Sequence, residues 1–185
     1  MTEYGGPELA ASFRTVRKNT LLIAGEIPED KYDFVPAPGA RSVRALLAHI
    51  AIAPSVQDEM HRVKRVTTLQ GYDFPALIGR IEAEEKKPRN KAEIIQLLKT
   101  EGEKFASWLQ TLTPEFLNER VADFAPVAPK TRAERLMGAK EHEMHHRGQL
   151  MLIQRMLGIV PHLTREREER NRARQQAAAP VAPAQ

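Results

Sequence analysis

A chain of 185 residues with 42% hydrophobic residues and a formal charge of +4 can enclose one sizeable core and is short for several domains. It contains no cysteine, which excludes a disulfide framework, a thiolate metal site and a catalytic thiol of its own. The positive surplus is small, sits partly in the mixed-sign run "TREREERNRARQQ", and is accompanied by only 5% aromatic residues, so no specific nucleic-acid surface is expected.

The opening "MTEYGGPELA" lacks a basic stretch leading into an apolar run, and no apolar segment reaches membrane-spanning length. A cytoplasmic protein with no membrane partner is the expectation.

Four helical patterns follow in order, separated by proline- and glycine-containing joints. The first covers about residues 8 to 27, with Leu9, Phe13, Val16, Thr20, Ile23 and Ile27 on one stripe, and stops at the proline-rich "PEDKYDFVPAPGA". The second opens on Ser42, a good capping residue, and runs to about Val66 with a kink expected at Pro54. The connection "TTLQGYDFPALIGRIEAEEKKPR" has room for a short helix of its own.

The third pattern begins at Asn90, with Glu93 completing a capping box, and carries Ile94, Leu98, Phe105, Leu109 and Leu112. Gly102 falls on that stripe, where glycine costs helix stability; it either leaves room for a neighbour or ligand, or has no role. The fourth opens on Thr131 and Glu134, a second capping box, and ends at Gly158 ahead of Pro161. No convincing strand or repeat is visible. The pattern predicts an all-α four-helix bundle over residues 1–163, followed by a charged tail, 164–185, expected to be disordered and ending in the low-complexity "AAAPVAPAQ".

The segment "KEHEMHHRGQL" spells H-E-x-x-H on the fourth helix. At about 100° per residue, with His142 as zero, His146 lies at about 40°, Ile153 at about 20° and Leu150 at about 80°, so both histidines fall within the apolar stripe. Gln149 also turns inward, and His145 lies nearer the edge. On the second helix His49 has Ala45, Ala53, Val56 and Met60 within about 40° on either side, while His61 lies on the flank. Three imidazoles thus face one interior from two helices. Leaving their nitrogens unsatisfied would cost about 1–3 kcal/mol each. A divalent cation held by His49, His142 and His146 removes that cost and, with three protein ligands, retains an open position. Imidazole suits zinc, nickel, copper and iron alike. His61 and His162 are not expected to be ligands, and His145 is expected to be either hydrogen-bonded near the site or simply exposed.

With those residues in place, the chain resembles the DinB-like family of bacterial helical proteins over about residues 8 to 163. "RSVRALLAHIA" is similar to the family's second-helix segment, whose histidine is a metal ligand, here His49. "KEHEMHHRGQL" is similar to its fourth-helix H-x-x-x-H segment followed by "RGQ", giving His142 and His146. The resemblance implies a four-helix bundle with a long crossover, often homodimeric, carrying zinc or nickel. It also implies a stress-related setting and kinship with thiol-dependent S-transferases and one thiol-dependent isomerase. The charged tail lies outside the shared pattern.

The leading expectation is a metal-dependent enzyme that activates a low-molecular-weight thiol for transfer to an electrophile. Gln149 would orient a ligand or brace a histidine; Arg44 and Arg147 are candidate anion contacts or plain surface residues. The catalytic residues themselves are not identifiable from sequence. One alternative is a non-catalytic, metal-stabilised binding or stress protein. Another is an H-E-x-x-H hydrolase with Glu143 as base and Glu166, about twenty residues beyond His146, as third ligand. The fourth helix continues about three turns past His146 and Glu166 lies among charges, so this arrangement is not expected.

Overall fold

The computed structural model describes residues 4–178. Helix α1 spans Gly6–Glu26, α2 Val43–Ile52, α3 Pro54–Gln57, α4 Phe74–Glu85, α5 Lys91–Gln110, α6 Pro114–Asn118, α7 Arg132–Met156 and α8 His162–Ala178. The long helices α1, α2, α5 and α7 form the bundle. In it α1 and α2 each pack on both α5 and α7, so the first two helices sit diagonally across from each other.

The predicted caps are made. Ser42, Asn90 and Thr131 accept hydrogen bonds from the backbone N–H groups of Ala45, Glu93 and Glu134, and the Glu93 and Glu134 carboxylates reach back to close their boxes. Gly158, at φ 77°, ends α7 in the left-handed region open to glycine. Pro28 has no N–H for the Ala24 carbonyl, and the buried Tyr32 hydroxyl donates to it at 2.8 Å instead. Lys91 Nζ donates to the Gly25 and Ile27 carbonyls at 2.8 and 2.7 Å, closing the end of α1.

Pro54 does more than kink the second helix. It starts α3, which passes into a π-helical turn over Asp58–Val63, where the Lys64 N–H reaches the Glu59 carbonyl at 2.8 Å. The wider turn rotates everything after it relative to a regular helix. His61, expected on the flank, is accordingly fully buried, with Arg132 Nη1 donating to its Nδ1 at 2.9 Å. Because guanidinium only donates, that ring holds its own proton on Nε2. The connection between α3 and α5 does hold a helix, α4. A two-residue antiparallel ladder that sequence did not reveal pairs Arg120–Val121 (β1) with Lys130–Thr131 (β2) and squares the approach to α7.

The tail expected to be disordered from Thr164 is instead helical to Ala178, while residues 179–185 lie outside the described part. The start of α8 is tethered: His162 is buried and 3.3 Å from Asn19 Oδ1, Thr164 Oγ1 accepts from Arg155 at 2.9 Å, and Arg165 pairs with Glu26. A tethered first turn supplies the nucleus that an isolated helix lacks, and alternating charges such as Glu166–Arg170 support it further on.

The bundle interior is two apolar clusters with a charged layer between them. One contains Ile23, Leu47, Ile50, Ile94, Leu98, Leu150 and Ile153. The other contains Leu9, Phe13, Phe105, Leu109, Leu136 and Ala139. Between them Arg17, 3% exposed, meets Glu143, 1% exposed, with Nε 3.0 and 3.1 Å from the two carboxylate oxygens. Nη1 donates to the Leu98 carbonyl at 2.7 Å and Nη2 to the Ile50 carbonyl at 3.1 Å. The Ile50 carbonyl is free because its helical partner would be the missing N–H of Pro54. Gly102 leaves the space: a Cβ there would stand 2.9 Å from Arg17 Cγ and Nη1.

Two outcomes follow from these buried charges. Arg17→Met or Glu143→Leu alone strands a charge in the core and should cost about 3–5 kcal/mol, whereas the double substitution should recover most of that loss; urea titrations of the three variants measure it. For His61, burial first, then Arg132 and Arg135, push the pKa down to about 4 from the usual 6.5. The unfolded chain therefore binds the extra proton between those values, so stability is complete above about pH 6.5 and declines as pH falls toward 4, by about 3 kcal/mol in all. Replacing His61 with Gln, which still accepts from Arg132, should flatten that part of the pH–stability curve.

Candidate metal centre

His49 lies in the last turn of α2, and His142 and His146 lie one turn apart in α7, the neighbouring helix. The structure brings the three together: one ligand atom from each lies within 4.8 Å of the others. His142 Nε2 is 3.0 Å from His49 Nε2 and 3.1 Å from His146 Nε2. Bonds of about 2.0–2.1 Å to a shared cation would place ligand nitrogens roughly 2.9–3.4 Å apart.

The outer nitrogens decide what the inner ones offer. Glu85 Oε1 lies 2.8 Å from His49 Nδ1, and Gln149 Oε1 lies 2.8 Å from His146 Nδ1. Both oxygens are acceptors, so each Nδ1 carries its proton and each Nε2 turns a lone pair inward. Lone pairs converging at about 3 Å repel one another unless a cation or a proton lies among them. The donor set therefore fits a divalent metal ion on chemistry, and the two separations from His142 match the distances such an ion would impose. Burial, then the neighbouring His146 and His49, push the His142 pKa down to about 4, and burial likewise lowers that of His146. Neutral imidazole is the ligating form.

The wheel argument placed His49 at the centre of a packing face; the structure turns that face toward α4. Ala45 is exposed and Ala53 and Val56 half-buried, while the deepest positions of α2 are Val43, Leu47, Ile50 and Ala51. His49 and His142 thus stand at the wall of an open cleft of about 390 Å³ lined by residues of α2, α3, α4 and α7. Val56, Ile78, Ile81 and Ala139 supply its apolar surface, and Arg41, Gln57 and Glu82 its polar groups.

The remaining candidates separate cleanly. His145 is exposed, with Nε2 3.3 Å from Gln149 Nε2, so it touches the amide that braces His146. His61 and His162 have other partners, as described. Arg44 is held by Asp33 at 2.7 Å and by the Arg89 carbonyl, and Arg147 does not line the cavity. Glu166 is exposed on α8 and pairs with Arg170, and Glu143 points at Arg17. Neither of the groups an H-E-x-x-H peptidase would require is at the histidines. Glu85 was missed in the sequence, although Ile78, Ile81, Glu82 and Glu85 recur at the spacing of a single helix face.

Residues 12–150 match the DinB superfamily. The chain belongs to that superfamily. The chain is 26% identical over 152 residues to the YjoA protein of Bacillus subtilis (strain 168), covering 82% of this chain and 90% of YjoA. The crystal structure of YjoA has a TM-score of 0.60 to this DinB protein at 24% identity, covering 82% of one chain and 92% of the other. A DinB-like protein from Bacillus cereus reaches 0.63 at 19% identity, covering 83% and 93%. YfiT from Bacillus subtilis, described as a probable metal-dependent hydrolase with an unusual four-helix bundle topology, reaches 0.63 at 15% identity, covering 86% and 91%. These likenesses carry the four-helix fold.

If the three imidazoles hold a cation, His49→Ala, His142→Ala and His146→Ala should each remove most bound divalent metal in equilibrium dialysis, whereas His61→Gln and His162→Ala should not. Glu85→Gln and Gln149→Ala should retain metal at about 10- to 100-fold lower affinity, the usual cost of losing a group that orients a ligand.

Proposed function

We propose that this DinB protein is a cytoplasmic metal-dependent enzyme that joins a small thiol to an electrophile, with His49, His142 and His146 as the metal ligands. The carrying observation is the convergence of the three imidazoles, with the Nδ1 protons of His49 and His146 held by Glu85 and Gln149, beside a cavity that His49 and His142 line. A divalent cation there supplies Lewis acidity, which favours the thiolate of a co-substrate at neutral pH. Zinc and nickel are the ions we favour.

The side chains around it fit that role. Glu85 and Gln149 hold the Nδ1 protons of His49 and His146, which turns the Nε2 lone pairs of those two rings inward and fixes their orientation. Val56, Ile78 and Ile81 present an apolar wall that excludes water from the electrophile. The thiol proton leaves to solvent, the sulfur forms its bond to the electrophilic carbon, and the leaving group departs with its electron pair. Glu143 is committed to Arg17 and Glu85 to His49, so neither is free to deprotonate water. A nucleophile that ionises readily by itself suits such a site better than water does. The fit of the fold to YfiT supports a second reading, metal-dependent hydrolysis, in which the exposed Glu82 at the cavity wall would have to serve as base. We also propose a homodimer, which sedimentation equilibrium checks.

The test uses the cobalt-substituted protein. Titration with glutathione, bacillithiol and mycothiol should change the visible spectrum as sulfur enters coordination, and turnover of an electrophile should require both metal and thiol. A spectrum indifferent to all three thiols, together with metal-dependent ester or amide cleavage in their absence, would establish the hydrolytic reading instead.

A further inference from the structure

Another cleft, of about 410 Å³, lies between the π-helical turn, the end of α5 and the start of α6, and shares no lining residue with the metal cavity. Its walls include His61, Arg62, Arg65, Trp108, Thr111 and Phe116. Among the described residues, no aspartate or glutamate lines it. Arg62 is already held by Asp58 at 2.5 Å, but Arg65 has no carboxylate within ion-pair distance among the described residues; its guanidinium lies 5.5 Å from the Phe116 ring centre. Arg65 is held at φ 47°, unusual for a side chain other than glycine, and its carbonyl accepts from Arg132.

His61 adds an independent sign. Arg132 occupies its Nδ1, so its N–H is on Nε2, and that atom is buried with no acceptor among the described residues. A buried donor without a partner is a cost that an arriving acceptor removes. Arg65, Arg62 and His61 thus offer donors only, beside the half-buried indole of Trp108, whose ring packs edge-on to Phe116 at 6.5 Å. Cationic donors against aromatic faces select a negative head on a flat apolar body.

We propose that this cleft is a binding site for a small aromatic anion, an aryl carboxylate or aryl phosphate, separate from the metal cavity. Arg65 binds the anionic head, His61 Nε2–H contributes the buried donor, and Trp108 stacks on the ring.

Trp108 is the chain's only tryptophan, so its emission reports on the cleft directly. In the full-length protein, phenyl phosphate and benzoate should each give a saturable change in that emission and shift the His61 Nε2–H resonance, while benzyl alcohol should give neither. Arg65→Gln, at an exposed position, should weaken phenyl phosphate about tenfold, the loss of one charge-assisted hydrogen bond. Binding of inorganic phosphate as tightly as phenyl phosphate would remove the aromatic part of the assignment. An absence of saturation, equal binding of benzyl alcohol, or an unchanged affinity in Arg65→Gln would overturn the site.

Discussion

One guanidinium ties the bundle together. Arg17 reaches from α1 to the Ile50 carbonyl of α2, the Leu98 carbonyl of α5 and the Glu143 carboxylate of α7, and it does so in a layer that separates two apolar clusters. Hydrophobic burial supplies the larger driving force, yet apolar contact is tolerant of rotation and sliding. A buried ion pair with directional partners on every bundle helix is not. Its net contribution to stability can be small, because desolvation offsets attraction, while its effect on register is large.

That register is what the histidines need. Ile50 follows His49 in the chain, and Glu143 follows His142, so Arg17 grips the residue next to two of the three imidazoles. Fixing the rotation of α7 through Glu143 turns His142 and His146 toward α2. The open carbonyl left by Pro54 gives Arg17 its hold on α2, and the same proline lines the metal cavity and starts the short helix that leads into the π-helical turn. Helix α4, the middle of the long crossover, then closes the outer side and delivers Glu85 to His49. Imidazoles, orienting group and cavity wall come from different parts of the chain, but a single polar layer sets the angle at which they meet.

Much of this was readable in the residues. Local signals are short-ranged and additive, so Ser42, Asn90, Thr131 and Gly158 marked helix ends that the structure keeps. The juxtaposition of His49 with His142 and His146 was also legible, because inward polar residues on two stripes must find each other. The phase of the second helix beyond Pro54 was not, since a regular wheel cannot anticipate a π-helical turn, and His61 was misplaced for that reason. The helical tail escaped too: composition reports that a segment lacks a core, not that a tethered first turn will nucleate it. Arg17 left a trace that went unread. It occupies the apolar stripe of α1, as Glu143 does that of α7 and Gly102 that of α5, and opposite charges facing a missing side chain form a consistent set.

The same reading settles the H-E-x-x-H string. On any helix the glutamate lies about 100° from the first histidine, so the motif by itself does not say which of the two faces the metal. A peptidase would need Glu143 turned toward the open side of the site, with a third ligand arriving from further along the chain. Here the azimuth of Glu143 lies between those of Leu150 and Leu136, the deepest line of α7, and both residues are buried to within 2% of exposure. At that position a carboxylate requires a cation, and α1 provides one. The histidines are left at the edge of the stripe, where the third imidazole comes from α2 rather than from the tail. In this chain the five-residue motif is two separate devices laid on one helix: a charge that fixes the bundle, and a pair of imidazoles that the fixed bundle aims at a third.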